Sequence, residues 1–283
     1  HLLLGGEPVR DDQPLTGVTL QEALDFVDAS PVLSIVAADA VSQALLDGFS
    51  EEVEELKLQV IGQVAEDLCL SRIPGDSRST IPGCSDLTAE RGGHIQQLVA
   101  QAFRDQVGGA EIGLQNAGGV RIDIPEGEFT IADAFELLPF SNTMVLLEMT
   151  GSEILDTLEE AVGNFLDEGG STGSYPYASG LRWDLDLTQP FGSRFSNVQV
   201  KLQGEDQWSA IDVGATYVVS TNDFIARGQD GYLTLGTVTD DGRVTDTYLE
   251  YAQTFVDYVK AVGVLTRPAI DDFSTQNFIP ASE

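Results

Sequence analysis

The chain has 283 residues, 42% of them apolar, and sets 46 acids against 14 bases for a formal charge of −32. This length suits one large domain or two small ones, and the apolar share argues against disorder despite the charge. The charge excludes nucleic-acid binding through a basic surface, and no apolar run approaches the about 18 residues of a membrane span. The acids read as a solvated surface of the kind found in salt-adapted proteins. Such a surface repels anionic ligands at low salt, so a site for one needs its own local arginines. Eleven of the 14 bases are Arg.

Residues 1–18 are polar, hold Asp11-Asp12 and two prolines, and read as loop. The start His1-Leu2-Leu3-Leu4-Gly5-Gly6 has no basic region and a very short apolar run, so it is not read as a signal peptide. It looks like a mature fragment. Residues 19–27 have helical spacing, with Thr19 as cap and Glu22 at the capping-box position, and Ser30-Pro31 should stop that helix. Residues 39–49 read as helix. Ser50 is placed to cap a second one over 51–57, with Glu51 and Glu52 favourable in its first turn. Residues 58–64 read as strand.

Cys69 and Cys84 flank the polar Pro/Gly/Ser-rich loop 72–83. An even count closing one short loop suggests a disulfide in an oxidising compartment, worth about 3 kcal/mol in the chain-entropy model; two unrelated thiols are the alternative. No Cys/His cluster has zinc spacing. Residues 88–104 read as a helix with Ile95, Leu98, Val99, Ala102 and Phe103 on one face. His94 in it reads as a surface or supporting residue rather than a catalytic one.

The apolar run 110–114 reads as a buried strand leading into Gln115-Asn116-Ala117-Gly118-Gly119-Val120-Arg121. Two successive glycines permit positive φ and close approach to a ligand, and the Arg fork suits an anionic oxygen. Residues 130–138 read as a short helix before Pro139-Phe140-Ser141-Asn142, whose Phe is either core filling or a platform for a flat ring. A strand over 143–149 and an amphipathic helix over 152–162 follow. Loop 169–174 leads to an alternating strand over 181–187, with further strands over 197–202 and 216–219. Behind Val218-Val219-Ser220-Thr221 comes Asn222-Asp223-Phe224-Ile225-Ala226-Arg227-Gly228-Gln229-Asp230-Gly231-Tyr232. Residues 248–262 read as a helix whose aromatic stripe of Tyr251, Phe255 and Tyr258 is core, and 274–283 as loop. The elements argue a mixed α/β domain without strict alternation. Two loop phenylalanines, an Asn, an Arg and an Asp form a nucleoside set: rings stack the base, the acid accepts ribose hydroxyls, Arg meets phosphate.

Three motifs in order carry a resemblance: Asn-x-Gly-Gly-x-Arg (116–121), Pro-Phe-x-Asn (139–142) and Asn-Asp-Phe-x-Ala-x-Gly-x-Asp-Gly-Tyr (222–232). The chain resembles the C-terminal, substrate-recognition domain of the bacterial 5′-nucleotidases, two-domain enzymes of the periplasm and cell surface. Residues 72–79 and 170–184 resemble the subgroup that includes NAD nucleotidases. The resemblance implies an α/β fold with helices layered around β-sheets and ligand loops at one edge. It implies base stacking by Phe140 and Phe224, ribose contact by Asp230, and phosphate contact by Arg121, Asn116 and Arg91. Asn142 and Gly180 would meet the base edge. The ligand would be AMP, adenosine or NAD, and the location periplasmic or secreted.

The family's catalytic machinery is a metallophosphoesterase domain N-terminal to this one, holding a divalent metal pair such as zinc or manganese. Its Asp-x-His, Gly-Asn-His-Glu and Gly-His-x-His motifs are absent here, where only two histidines occur. Residues 1–49 would then be the approach and linker helix toward that domain, with the substrate-binding domain over 50–283 and a hinge near 50–60. Alone, the chain should bind nucleosides or nucleotides and hydrolyse nothing. A free-standing binding module is the alternative. A metal-independent hydrolase using Asp230, Glu90 or a serine is disfavoured: the one Gly-x-Ser-x-Gly match, 169–173, lies in a polar loop rather than at a strand-to-helix turn.

Overall fold

The computed structural model describes residues 3–4, 7–8, 20–32, 39–76 and 78–281. They divide into two compact units, His1–Glu55 and Leu56–Glu283. In the first, β1 (Leu3–Leu4) and β2 (Glu7–Pro8) pair antiparallel where loop was expected. The other residues of 1–18, and the proposed cap Thr19, lie outside the described residues. Helix α1 spans Leu20–Asp28 and ends before Ser30-Pro31. Helix α2 runs unbroken over Ala40–Lys57, so the two helices expected there are one and Ser50 is internal. Asp39 does the capping instead: its Oδ1 accepts from Ser42 N at 2.8 Å, satisfying a donor with no partner inside the helix.

The second unit contains, in order, β3 (Val60–Val64), α3 (Cys84–Leu87), α4 (His94–Gln106), β4 (Ile112–Asn116), β5 (Gly127–Thr130), α5 (Ile131–Leu137), β6 (Thr143–Thr150), α6 (Gly151–Leu166), β7 (Pro176–Ser179), β8 (Leu181–Asp186), β9 (Phe195–Val200), β10 (Ser209–Ala210), β11 (Thr216–Asn222), α7 (Asp223–Ala226), α8 (Leu233–Asp240), β12 (Val244–Glu250), α9 (Tyr251–Val262), β13 (Val264–Leu265) and β14 (Thr275–Ile279). They build three sheets, ordered β13-β3-β5, β12-β6-β11-β4-β7 and β10-β9-β8-β14. This is the mixed α/β fold expected.

Several boundaries move for identifiable reasons. Helix α4 starts at His94 rather than 88, because Gly92 takes φ +87° and breaks the turn before it. Helix α9 starts at Tyr251 rather than 248, where the Glu250 side chain accepts from Gln253 N and caps it. The 244–250 segment is instead an edge strand on β6. Residues 275–279, expected as loop, pair parallel with β8. Two capping boxes, Thr130/Asp133 and Thr150/Glu153, start α5 and α6.

The core falls into two clusters. One, around Leu147, Leu158, Tyr175 and Trp183, gathers α6, α8 and the four-stranded sheet. The other, around Phe103, Phe129, Phe255 and Val259, gathers α4, α5, α9 and the three-stranded sheet. The aromatic stripe on α9 is buried in it, as expected. Each fully buried large side chain contributes about 1.5–3 kcal/mol.

The five-stranded sheet positions the site. Strand β11 is parallel to β4 and antiparallel to β6, while β7 is antiparallel to β4. The ends of β4 and β11 therefore meet the beginnings of β6 and β7 at one edge. Carboxyl ends of neighbouring parallel strands are where open α/β sheets place ligand crevices.

Candidate functional site

At that edge lies a cavity of about 230 Å³ lined by Arg72, Asn116, Gly118, Gly119, Arg121, Phe140, Asn142, Ser171, Gly173, Phe224 and Asp230. Each loop that contributes follows or precedes a strand of the same sheet, except the disulfide-bracketed loop that brings Arg72. Six of the eight binding residues expected from sequence converge here: Asn116, Arg121, Phe140, Asn142, Phe224 and Asp230.

Asn116, the last residue of β4, is buried and held from both ends of its amide. Its Nδ2 donates to Asp230 Oδ2 at 2.9 Å, and its Oδ1 accepts from Asn222 Nδ2 at 3.2 Å. Asn222 Nδ2 also reaches Gln115 Oε1 at 3.1 Å, and Gln115 Nε2 donates to Tyr251 Oη at 2.8 Å. This buried chain fixes which way the Asn116 amide faces and presents the Asp230 carboxylate at a set angle. Asp230 itself adopts φ 54°, the left-handed region that a non-glycine residue occupies only when its surroundings hold it.

The glycines after Asn116 serve differently from the expectation, since neither takes positive φ. A Cβ on Gly119 would lie 2.2 Å from Gln115 Nε2 and 2.4 Å from Tyr251 Oη, and one on Gly118 would lie 3.0 Å from Gly173 Cα. Close packing against the amide chain and the 171–173 loop requires them.

Phe140 is 43% exposed and Phe224 40%, so both rings face the cavity rather than the core. The Arg121 guanidinium stands 5.8 Å from the Phe140 centroid, and its Nη1 donates to Gly118 O at 3.1 Å. Arg72 Nη1 donates to Ser171 Oγ at 3.0 Å. Burial, then Arg78 and Arg121, lower the Arg72 pKa, yet a guanidinium starts so high that it stays a cation. Among the described residues neither Arg72 nor Arg121 pairs with a carboxylate, whereas Arg194, Arg243 and Arg267 do. Two cations, neither in an ion pair among the described residues, thus share one cavity with the Asp230 carboxylate, whose charge together with that of Asp76 partly offsets the lowering at Arg72.

Arg91 and Gly180 do not line the cavity. Arg91 pairs with Glu90 at 2.8 Å in the turn before α4. Gly180, at φ +77°, makes room at the β7–β8 corner, where a Cβ would lie 2.7 Å from Arg104 Nε. Arg72 and Ser171 were not singled out as binding residues, although both lie in stretches that carry the subgroup resemblance.

Cys69 and Cys84 are bonded, buried and 15 residues apart. His94, expected as a surface or supporting residue, is buried: its Nδ1 accepts from Cys69 N at 3.2 Å, and its ring meets Phe273 edge-on at 6.1 Å. Burial first, then Arg267, push its pKa down to about 4. Among the described residues no helix is long and apolar enough to cross a membrane.

The sequence profile of the family described as 5′-nucleotidase, C-terminal domain, matches residues 60–237. The chain is 33% identical over 249 residues to the NAD 5′-nucleotidase of Haemophilus influenzae, covering 87% of this chain and 40% of that protein. It is 31% identical over 258 residues to a probable 5′-nucleotidase of Treponema pallidum, covering 89% and 42%. Its fold matches the structure of the Haemophilus influenzae NAD nucleotidase with a TM-score of 0.72 and 30% identity, over 93% of this chain and 45% of that one. The chain therefore spans less than half the length of these relatives. With the profile covering most of the second unit, the chain belongs to the 5′-nucleotidase C-terminal domain family.

Proposed function

We propose that the chain is the nucleotide-recognition domain of a longer 5′-nucleotidase, one that releases phosphate from nucleoside 5′-monophosphates. The observation that carries this reading is the cavity, which joins two exposed rings, a carboxylate and two arginines that form no ion pair among the described residues. Phe140 and Phe224 stack the base, and Asn142 meets its edge. Asp230, an acceptor when ionised, takes the ribose hydroxyls. Arg121 and Arg72, with Asn116, meet the phosphate as planar charged donors. Arg91 and Gly180 have no part in this assignment. NAD is a further candidate ligand beside AMP and adenosine, because the Haemophilus influenzae relative carries that name.

The reaction itself belongs to a metallophosphoesterase domain N-terminal to these residues. A divalent metal pair such as zinc or manganese would there supply activated water and charge neutralisation. This chain's residues bind and orient; alone they hydrolyse nothing. The buried disulfide supports a periplasmic or secreted location.

Calorimetric titration of the chain with adenosine, AMP and NAD at high salt tests the reading. Saturable adenosine binding, strengthened by phosphate, is expected, with the phosphate gain lost in Arg121→Ala. Failure to bind adenosine, or an AMP gain that survives in Arg121→Ala, overturns it.

A further inference from the structure

Arg72 and Arg121 reach the cavity on segments far apart in sequence, and their charges oppose each other. Ser171 Oγ and Gly118 O each hold one guanidinium locally, and the spacing between the two then depends on how the backbones carrying them are joined. One carboxylate makes the join. Asp123, two residues beyond Arg121, accepts through Oδ1 from Leu70 N at 2.6 Å. Through Oδ2 it accepts from Thr80 N at 2.8 Å and from Thr80 Oγ1 at 3.1 Å. Leu70 and Thr80 stand on the two limbs of the loop that carries Arg72, so a single side chain pins both limbs to the Arg121 segment. Beside it, Leu68 and Ile124 exchange paired backbone hydrogen bonds at 2.8 and 3.1 Å, and Cys69–Cys84 ties the loop to α3. Asp123 is not among the cavity-lining residues, and none of its three donors is a cation.

We propose that Asp123 is a positioning residue for phosphate recognition, which holds the Arg72 loop to the Arg121 segment so that both guanidinium groups meet the anionic end of the ligand as one preset clamp. The proposal rests on the nucleotide-recognition reading of the cavity. Donors held in place before the ligand arrives bind without a reorganisation cost. Loss of the brace is therefore felt at the phosphate and not at the base, which sits on Phe140 and Phe224.

The test is calorimetric titration of Asp123→Asn with adenosine and with AMP, beside the unsubstituted chain and Arg72→Ala. The amide keeps the shape of the carboxylate but turns a donor toward either Leu70 N or Thr80 N, releasing one limb. The gain of AMP over adenosine falls about tenfold in both variants, the size of one charge-assisted hydrogen bond, while adenosine affinity stays within about twofold. Thr80→Val, which removes only the hydroxyl, is a milder variant should Asp123→Asn not fold; its AMP gain falls by about threefold, because Thr80 N still donates to Asp123 and only one of the limb's two bonds is lost. A gain that survives in Asp123→Asn, or in Thr80→Val where that variant stands in, while Arg72→Ala loses it overturns the proposal and leaves the recognition reading standing. Equal loss of adenosine and AMP affinity in the variant also overturns it, because that is loss of the cavity rather than of the clamp. Absence of adenosine binding by the unsubstituted chain overturns the recognition reading and the proposal with it.

Discussion

Phe140 and Phe224 face two competing demands, because a large ring gains most by leaving water. Phe103, Phe129 and Phe255 satisfy it completely and are fully buried, while these two stay 43% and 40% exposed. That exposure is tolerable where a flat ligand covers the ring, so truncation should act on binding rather than on folding. Phe140→Ala and Phe224→Ala are each expected to weaken adenosine binding by about 1–3 kcal/mol. Folding stability should change by no more than about 0.5 kcal/mol, as for other surface changes. Calorimetry beside melting curves decides the matter: lowered stability with unchanged affinity returns the ring to the core. Both residues were legible because each follows a marker, a rigid Pro139 or the end of a strand. Arg72 was not, since its partner Ser171 is 99 residues away and only the folded sheet edge brings the two together. Arg91 looked apt as the first cation of a helix, but α4 starts three residues later and Glu90 takes its guanidinium.

Helix α4 sets the charge of its own first residue. His94 lies at the positive end of the helix dipole, is buried, and accepts a backbone hydrogen bond at Nδ1 that an imidazolium could not accept. Its folded pKa of about 4 lies below the ordinary 6.5. Between those values the unfolded chain binds a proton that the folded chain refuses. The resulting stability is fully present above pH 6.5 and is lost as pH falls toward 4, at up to about 1.4 kcal/mol per pH unit. His94→Asn keeps an acceptor and removes the titration. Denaturant unfolding at pH 7 and pH 5 should therefore show a drop in the parent chain and a smaller one in the variant; equal drops would assign the effect to other groups. The same element illustrates what pattern alone reveals. The stripes of α4, α6 and α9 were legible because one face of each is buried at helical spacing. Strand β12 was hidden because none of its residues is fully buried, so it lacks a strong alternating signal. Strand β14 was hidden because its pairing with β8 joins residues about ninety apart, which no local pattern records.

The whole molecule carries −32 and still presents in one cavity two arginines that form no ion pair among the described residues, so an anionic ligand meets opposite forces at different ranges. The surface acids repel it over distance, whereas Arg72 and Arg121 attract it at contact. Salt separates the two, because the screening length is about 30 Å at 0.01 M, about 10 Å at 0.1 M and about 3 Å at 1 M. Raising salt from the lowest value first removes the long-range repulsion and leaves the contact attraction largely intact. Only well beyond 0.1 M, on the order of 1 M, does screening reach the arginines themselves. AMP affinity is therefore expected to rise and then fall with sodium chloride, while adenosine, which carries no charge, follows neither limb. Titrations of both ligands across that range check this. An AMP affinity that only declines from the lowest salt upward would mean that the arginines dominate at every range and that the acidic surface has no influence on the site. A maximum that persists in Arg121→Ala would place the attraction on other cations. The adenosine curve provides the baseline, since any salt response it shares with AMP belongs to base stacking or to the fold and must be subtracted before either force is assigned.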